Sequence, residues 1–130
     1  MIVRDFNVEK DYDEVASWWK QQEWPVLPKN VLSPSGFIAE ENGVKLAATW
    51  IFPTNCPIYI MEWTVGNPNI EHDLRSEGLK NVTNHACNWA KQDGAIQVFT
   101  MTKHERFIKK LEEFGFQTTE SGMTHLVRSL

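Results

Sequence analysis

Apolar residues recur along the chain at two different spacings, and these spacings predict a mixture of helices and strands. In some segments they fall at every third or fourth residue, which is typical of a helix with one buried face. In the segments between, they alternate or run continuously, as in strands of a buried sheet. The predicted helices cover residues 11–22, 28–32, 73–92 and 104–114.

The strand-like segments predict a mostly antiparallel sheet. They cover residues 2–6, 35–40, 44–52, 58–65, 95–101, 116–118 and 123–127. Asn42-Gly43 separates two of these runs and is the strongest short signal for a β-hairpin. Gly94 and Gly115 follow two helical segments, where glycine favours a helix end. We therefore expect one α/β (α+β) domain, residues 1–130, in the order β-α-α-β-β-β-α-β-α-β-β. The long helix links two parallel strands of its mostly antiparallel sheet.

Composition excludes several classes of function. A length of 130 residues allows one domain with a real core, and a net charge of −4 without a basic cluster argues against nucleic-acid binding. No apolar run approaches the roughly 18 residues of a membrane span. The first residues are strand-like rather than a leader, and Cys56 and Cys87 follow no disulfide or metal pattern. These features predict a cytoplasmic protein with reduced thiols and no bound metal.

Glu62 is the one carboxylate inside the predicted central strand, residues 58–65. An unpaired buried carboxylate costs several kcal/mol or has a raised pKa. Such a group suits a general base that removes a proton from an attacking amine. The alternative is a carboxylate paired with a lysine or a backbone donor, and the sequence leaves both interpretations open.

Tryptophan is unusually frequent, with six residues in the chain. Trp18, Trp19 and Trp24 fall within seven positions. Core packing explains most tryptophans, because the residue is highly buried on average. An aromatic wall beside a ligand is the second interpretation of this group.

The order of elements resembles the fold of the GCN5-related N-acetyltransferase (GNAT) superfamily over the whole chain. Residues 107–116 are similar to that family's final helix followed by Gly-Phe, and Val65-x-x-Pro68 is similar to its Val-x-Pro exit from the central strand. The resemblance implies that acetyl-CoA lies between the central strand and the next strand. Backbone groups of Trp63, Thr64 and Val65 would then contact the pantetheine and the thioester.

The resemblance also implies a pyrophosphate site at the start of the long helix, where Leu74, Arg75, Ser76 and Glu77 would bind the phosphates. The family's Gln/Arg-x-x-Gly-x-Gly/Ala loop is replaced by a segment, residues 71–78, that has no glycine before its last position. It carries Glu71 and Asp73, opposed by Arg75.

Two positions of the last helix bear on proton transfer. The family's catalytic tyrosine corresponds to Leu111, and its asparagine corresponds to His104. His104 is a candidate proton relay by this resemblance, and a simple helix-start residue otherwise.

Two hypotheses follow. The first is an N-acetyltransferase that transfers the acetyl group of acetyl-CoA to a primary amine, on a small molecule or a protein, by direct attack. Glu62 and His104 would be its catalytic residues. The second is a catalytically inactive GNAT-fold binding or inhibitory module, which the glycine-free loop and Leu111 favour. Either would act without nucleic acid or membrane, as a monomer or a homodimer.

Overall fold

The computed structural model describes all residues, 1–130, and contains one mixed sheet with helices on both faces. Its elements are β1 (Ile2–Asp5), α1 (Val8–Gln21), a 3₁₀ turn (Lys29–Val31), β2 (Ser35–Glu41), β3 (Val44–Phe52), β4 (Ile58–Gly66), α2 (His72–Gln92), β5 (Gln97–Phe99) and α3 (Glu105–Glu113). The strands lie in the order β1-β2-β3-β4-β5. All neighbours are antiparallel except β4 and β5, which are parallel and joined by α2. The predicted fold class and the single parallel crossover are confirmed.

The end of the chain differs from the expectation. The predicted strands 116–118 and 123–127 do not form, and residues 117–130 contain no helix or strand. The neighbouring β5 has three residues and offers only a short edge for pairing. The apolar side chains of this segment therefore stay exposed: Met123, Leu126, Val127 and Leu130.

The predicted helix 28–32 is also reduced, to the 3₁₀ turn Lys29–Val31. A five-residue segment that begins with proline is too short to repay the cost of helix nucleation. Its side chains are not buried, so packing does not supply the missing stability.

Helix α1 begins at Val8, three residues before the predicted start at Asp11. The side chain of Asn7 caps it by accepting a hydrogen bond from the amide of Lys10. Asp11 is fully buried, where Arg4 donates two hydrogen bonds to it at 2.8 and 2.9 Å. Burial alone would raise the pKa of Asp11, but these bonds and one from the Asn7 amide lower it to about 2. Lys45 lies 3.2 Å from the same carboxylate, so Asp11 is a buried residue of the first helical turn that pairs with two partly exposed cations.

Two separate hydrophobic clusters lie on the two faces of the sheet. The α2-face cluster contains Met61 and Val82 and packs β2–β4 against α2 and α3. The α1-face cluster contains Trp19 and Trp50 and packs the same strands against α1. Both faces of β4 are therefore covered, as its apolar sequence predicted. No helix is both long enough and apolar enough to cross a bilayer.

Candidate active site

Strands β4 and β5 separate after a short stretch of pairing. Their ladder runs from Ile58–Gln97 to Ile60–Phe99 and then ends, while β4 continues to Gly66 beside β3 alone. No strand lies beyond β5 in the sheet. The side of β4 that would face β5 is therefore free of ladder hydrogen bonds from residue 61 onward. We call this unpaired stretch of β4, together with the segment after β5 that contacts it through Met101, the opening.

A β-bulge shapes β4 at this opening. Thr49 of β3 lies opposite two residues of β4, Trp63 and Thr64, and the two threonine hydroxyls are 2.6 Å apart. Trp63 has a φ of 65°, a left-handed conformation that side chains disfavour by about 1–2 kcal/mol. The indole of Trp19 donates to the Trp63 carbonyl at 3.3 Å and holds the bulge against α1. After the bulge, Val65 packs into the α1-face cluster.

Glu62 lies immediately before the bulge and is half-buried. Its Oε1 accepts a hydrogen bond from the Met101 amide at 3.0 Å, in the segment that follows β5. No lysine or arginine lies within 4.0 Å of the carboxylate, so the backbone donor is its partner. Burial raises the pKa of Glu62, although the Met101 amide and the charge of His125 oppose the shift. The carboxylate thus connects β4 with the segment after β5, and its Oε2 has no hydrogen-bond partner within the chain.

His104 and Trp24 stack where α3 begins. His104 is the residue before α3, and its ring lies 4.6 Å from the ring of Trp24 at an interplanar angle of 23°. Trp24 follows α1 and is half-buried, whereas Trp18 and Trp19 are buried in the core. Of Trp18, Trp19 and Trp24, only Trp24 is therefore still a candidate for an aromatic surface that contacts a ligand.

The start of α2 presents free backbone donors. The first helical hydrogen bond runs from the Arg75 amide to the Glu71 carbonyl at 3.0 Å, and no side chain caps the helix. The amides of residues 72–74 therefore donate no hydrogen bond within the chain. Of the predicted phosphate contacts, Leu74 contributes a free amide, while Ser76 and Glu77 lie within the helix and would act through their side chains. This set of donors fits an anionic group such as a pyrophosphate.

The sequence suggested that Arg75 opposes the negative charges of Glu71 and Asp73, but in the structure Arg75 has other contacts. Arg75 donates to the Ile70 carbonyl at 3.1 Å, and its aliphatic stem packs against Gly66, where an added Cβ would lie 2.7 Å from Cγ. Arg75 therefore anchors the loop to the end of β4. Asp73 is exposed and lies 3.2 Å from the ring of His72 instead.

The sequence interpretation missed the contacts of three groups. The Met101 amide is a backbone donor, and no residue type signals its position. His125 lies near Glu62 only because the tail returns to the sheet. Lys110 reaches α2 from α3 and looked like an ordinary exposed helix residue. Leu111, by contrast, is buried in the α2-face cluster, at the position predicted to replace a tyrosine.

No model of a protein family and no curated protein sequence matches the chain. Solved structures do match over almost its full length. The aminoglycoside N-acetyltransferase AAC(6')-Iy in complex with CoA is 18% identical, covers 98% of this chain and 100% of its own, and has a TM-score of 0.68. Protein TTHA1254 of Thermus thermophilus is also 18% identical, with coverages of 98% and 97% and a TM-score of 0.72.

A third match is glucosamine-6-phosphate N-acetyltransferase from Arabidopsis thaliana, which is 11% identical, covers 98% of each chain and has a TM-score of 0.67. The architecture is thus the α+β fold of these solved structures, and in this chain two neighbouring parallel strands stop pairing beside the start of a long helix. It is the GNAT fold, and the resemblance inferred from the sequence is confirmed at the level of the fold.

Proposed function

We propose that the protein transfers the acetyl group of acetyl-CoA to a primary amine on a small molecule or a protein. The observation that carries this proposal is the opening between β4 and β5, which holds one partly buried carboxylate with a raised pKa. Two further features support it: the bulge at Trp63 and the free amides at the start of α2.

The reaction is a direct attack within a ternary complex. Acetyl-CoA supplies the thioester carbonyl, at which a carbon–nitrogen bond forms while the carbon–sulfur bond breaks. Glu62 accepts a proton from the ammonium form of the acceptor, directly or through a water molecule, so that the amine lone pair becomes available. Its raised pKa brings the carboxylate closer to the pKa of a base that works at neutral pH.

Backbone groups of Trp63, Thr64 and Val65 would hold the pantetheine and the thioester, because β4 has no ladder partner on that side. The Leu74 amide and its neighbours would receive the pyrophosphate. The nitrogen loses a second proton as the amide forms, and His104 is the residue we assign to accept it and to pass a proton to the departing thiolate, since the buried Leu111 has no hydroxyl to do so.

By the resemblance, the acceptor would lie between Trp24 and the tail segment that carries Glu120 and His125. Trp24 offers an aromatic surface, and Glu62 offers negative charge. These groups suit a cationic or aromatic acceptor better than an anionic one.

A non-catalytic binding module is the second candidate. Leu111 at the tyrosine position and the acidic residues beside the α2 amides favour it. The two candidates differ in one measurable respect, which is turnover of acetyl-CoA in the presence of an amine.

Calorimetric titration with acetyl-CoA and with CoA tests the first requirement. We expect binding and a raised melting temperature, because a ligand that binds only the native state stabilises it by about 2.7 kcal/mol at roughly 100 times Kd. Thiol release from acetyl-CoA with a panel of primary amines then tests transfer. Absence of both heat and thermal shift would contradict the proposal, and binding without amine-dependent thiol release would favour the non-catalytic module.

A further inference from the structure

Three indole groups are buried in the α1-face cluster, and only one of them has a hydrogen-bond partner. The indole N–H groups of Trp18 and Trp50 have no acceptor, although both side chains are fully buried. The indole of Trp19, which is 1% exposed, donates to the Trp63 carbonyl at 3.3 Å. Trp19 is therefore the buried indole that α1 uses as a donor, and its acceptor is the backbone of the bulge.

The acceptor belongs to the one residue of β4 with a left-handed backbone. The φ of Trp63 is 65°, and such a conformation persists in a residue with a side chain only where the surrounding contacts hold it. The ring of Trp63 also packs edge-on against Trp19, with ring centroids 5.8 Å apart and an interplanar angle of 72°. Trp19 thus contacts both the carbonyl and the side chain of the strained residue.

The same hydrogen bond sets the direction of the next backbone N–H. A carbonyl in a regular ladder points toward a neighbouring strand, whereas the Trp63 carbonyl accepts from an indole on the α1 face of the sheet. The peptide unit is planar and trans, so the Thr64 N–H points in the opposite direction from that carbonyl. Any rotation that releases the carbonyl from Trp19 would turn the Thr64 N–H with it.

From these observations we infer that Trp19 is a positioning residue, which keeps the bulge in its left-handed conformation and so fixes the backbone groups of Thr64 and Val65 for the thioester. The inference rests on the proposed function, in which these groups contact acetyl-CoA. Backbone groups stabilise a transition state best when they are fixed in advance, so a relaxed bulge lowers the rate of transfer. The α2 amides still bind the nucleotide, because Trp19 does not contact them.

Kinetics of two phenylalanine variants test the inference. Trp19→Phe keeps an aromatic ring and removes the donor, and Trp18→Phe is the matched control because it removes a buried indole that bonds to nothing. Both changes should lower the melting temperature. Only Trp19→Phe should lower kcat, by about 3- to 10-fold, as loss of one hydrogen bond that opposes backbone strain implies. KM for acetyl-CoA should be unchanged, since the lost interaction acts in the transition state.

The backbone of Trp63 gives a second readout that does not depend on turnover. Carbon chemical shifts of Cα and Cβ distinguish a left-handed from an extended backbone. Those of Trp63 should therefore move toward extended values in Trp19→Phe and stay in place in Trp18→Phe. If Trp19→Phe fails to fold, benzothienylalanine in place of Trp19 exchanges the indole N–H for sulfur and keeps the ring contact with Trp63, and it should give the same two results.

The outcomes separate this inference from the proposed function. Equal kcat values in Trp19→Phe and Trp18→Phe would overturn the inference, and so would Trp63 shifts that do not change when the indole donor is removed. Either result leaves the proposed function standing. A wild-type protein without amine-dependent thiol release would instead overturn the proposed function, and the Trp63 shifts would then decide by themselves whether Trp19 holds the bulge.

Discussion

Replacing Glu62 with glutamine separates a catalytic carboxylate from a structural one. Glutamine keeps the shape and a carbonyl oxygen that accepts the Met101 hydrogen bond at 3.0 Å, but it is no longer a base. As Glu62 has no lysine or arginine within 4.0 Å, the change leaves no orphaned positive charge of that kind. We expect the unfolding free energy in denaturant to change by less than about 1 kcal/mol, the worth of one hydrogen bond.

The rate should respond far more strongly than the stability. Removal of a general base typically lowers the rate by about 10²–10⁴-fold, and acetyl-CoA affinity should be retained because Glu62 does not contact the α2 amides. In wild type, kcat/KM should rise with pH as the Glu62 carboxyl, whose pKa is raised by burial, loses its proton. Glu62→Gln should lose that limb of the profile.

The same pKa shift has a consequence for folding. A carboxyl whose pKa is higher in the folded state contributes stability that is fully present below its unfolded pKa, and that contribution is lost as pH rises through the folded pKa. Glu62→Gln should therefore remove this fall in stability. Denaturant titrations of both proteins, at one pH below and one pH above the titration of the Glu62 carboxyl, would measure the difference.

Assays of thiol release and of urea unfolding on the same preparations distinguish a catalytic Glu62 from a structural one. Glu9→Gln is a suitable control, because Glu9 is an exposed glutamate on α1 and lies outside the opening. A stable Glu62→Gln protein with unchanged kcat/KM would remove Glu62 from the mechanism. A loss of several kcal/mol without a specific kinetic defect would mean that Glu62 is structural.

Four further predictions concern stability and affinity. Asp11→Ala should destabilise the fold by about 1–3 kcal/mol in urea, because the charged hydrogen bonds from Arg4 and the ion pair with Lys45 are lost while Arg4 keeps Glu40 as a partner, and a change below about 0.5 kcal/mol would refute this. With its pKa lowered to about 2, Asp11 stabilises the fold above pH 3.8, and acid titration should show that contribution lost as pH falls toward 2. Gly78→Ala should lower stability by about 1–3 kcal/mol despite better helix propensity, since its Cβ would lie 2.6 Å from that of Leu46; a stabilised variant would contradict the packing. Asp73→Asn should tighten acetyl-CoA binding about 2- to 5-fold by calorimetry, as removal of one exposed like charge allows, and weaker binding would exclude phosphate at this helix start.

The sequence alone determined the elements that depend on local chemistry. The 3.6-residue spacing predicted α2 and α3, and Asn42-Gly43 predicted the turn between β2 and β3, where both residues have positive φ. The apolar sequence of β4 predicted a strand covered on both faces and drew attention to Glu62. These features follow from neighbours in the chain, so a single sequence contains them.

Tertiary structure decided the features that depend on distant partners. Asp11 looked like an ordinary acidic residue at a helix start, but the folded chain buries it against Arg4 and Lys45. The bulge at Trp63 depends on its register with Thr49. The tail residues 123–127 have strand-like chemistry, yet they form no strand, since strand pairing depends on a partner edge elsewhere in the fold and β5 offers only three residues. The Met101 amide reaches Glu62 only because β4 and β5 separate after three pairs. Neither a free backbone donor nor the register of two strands can be recognised from residue types. For that reason the geometry of the opening is known only from the folded chain.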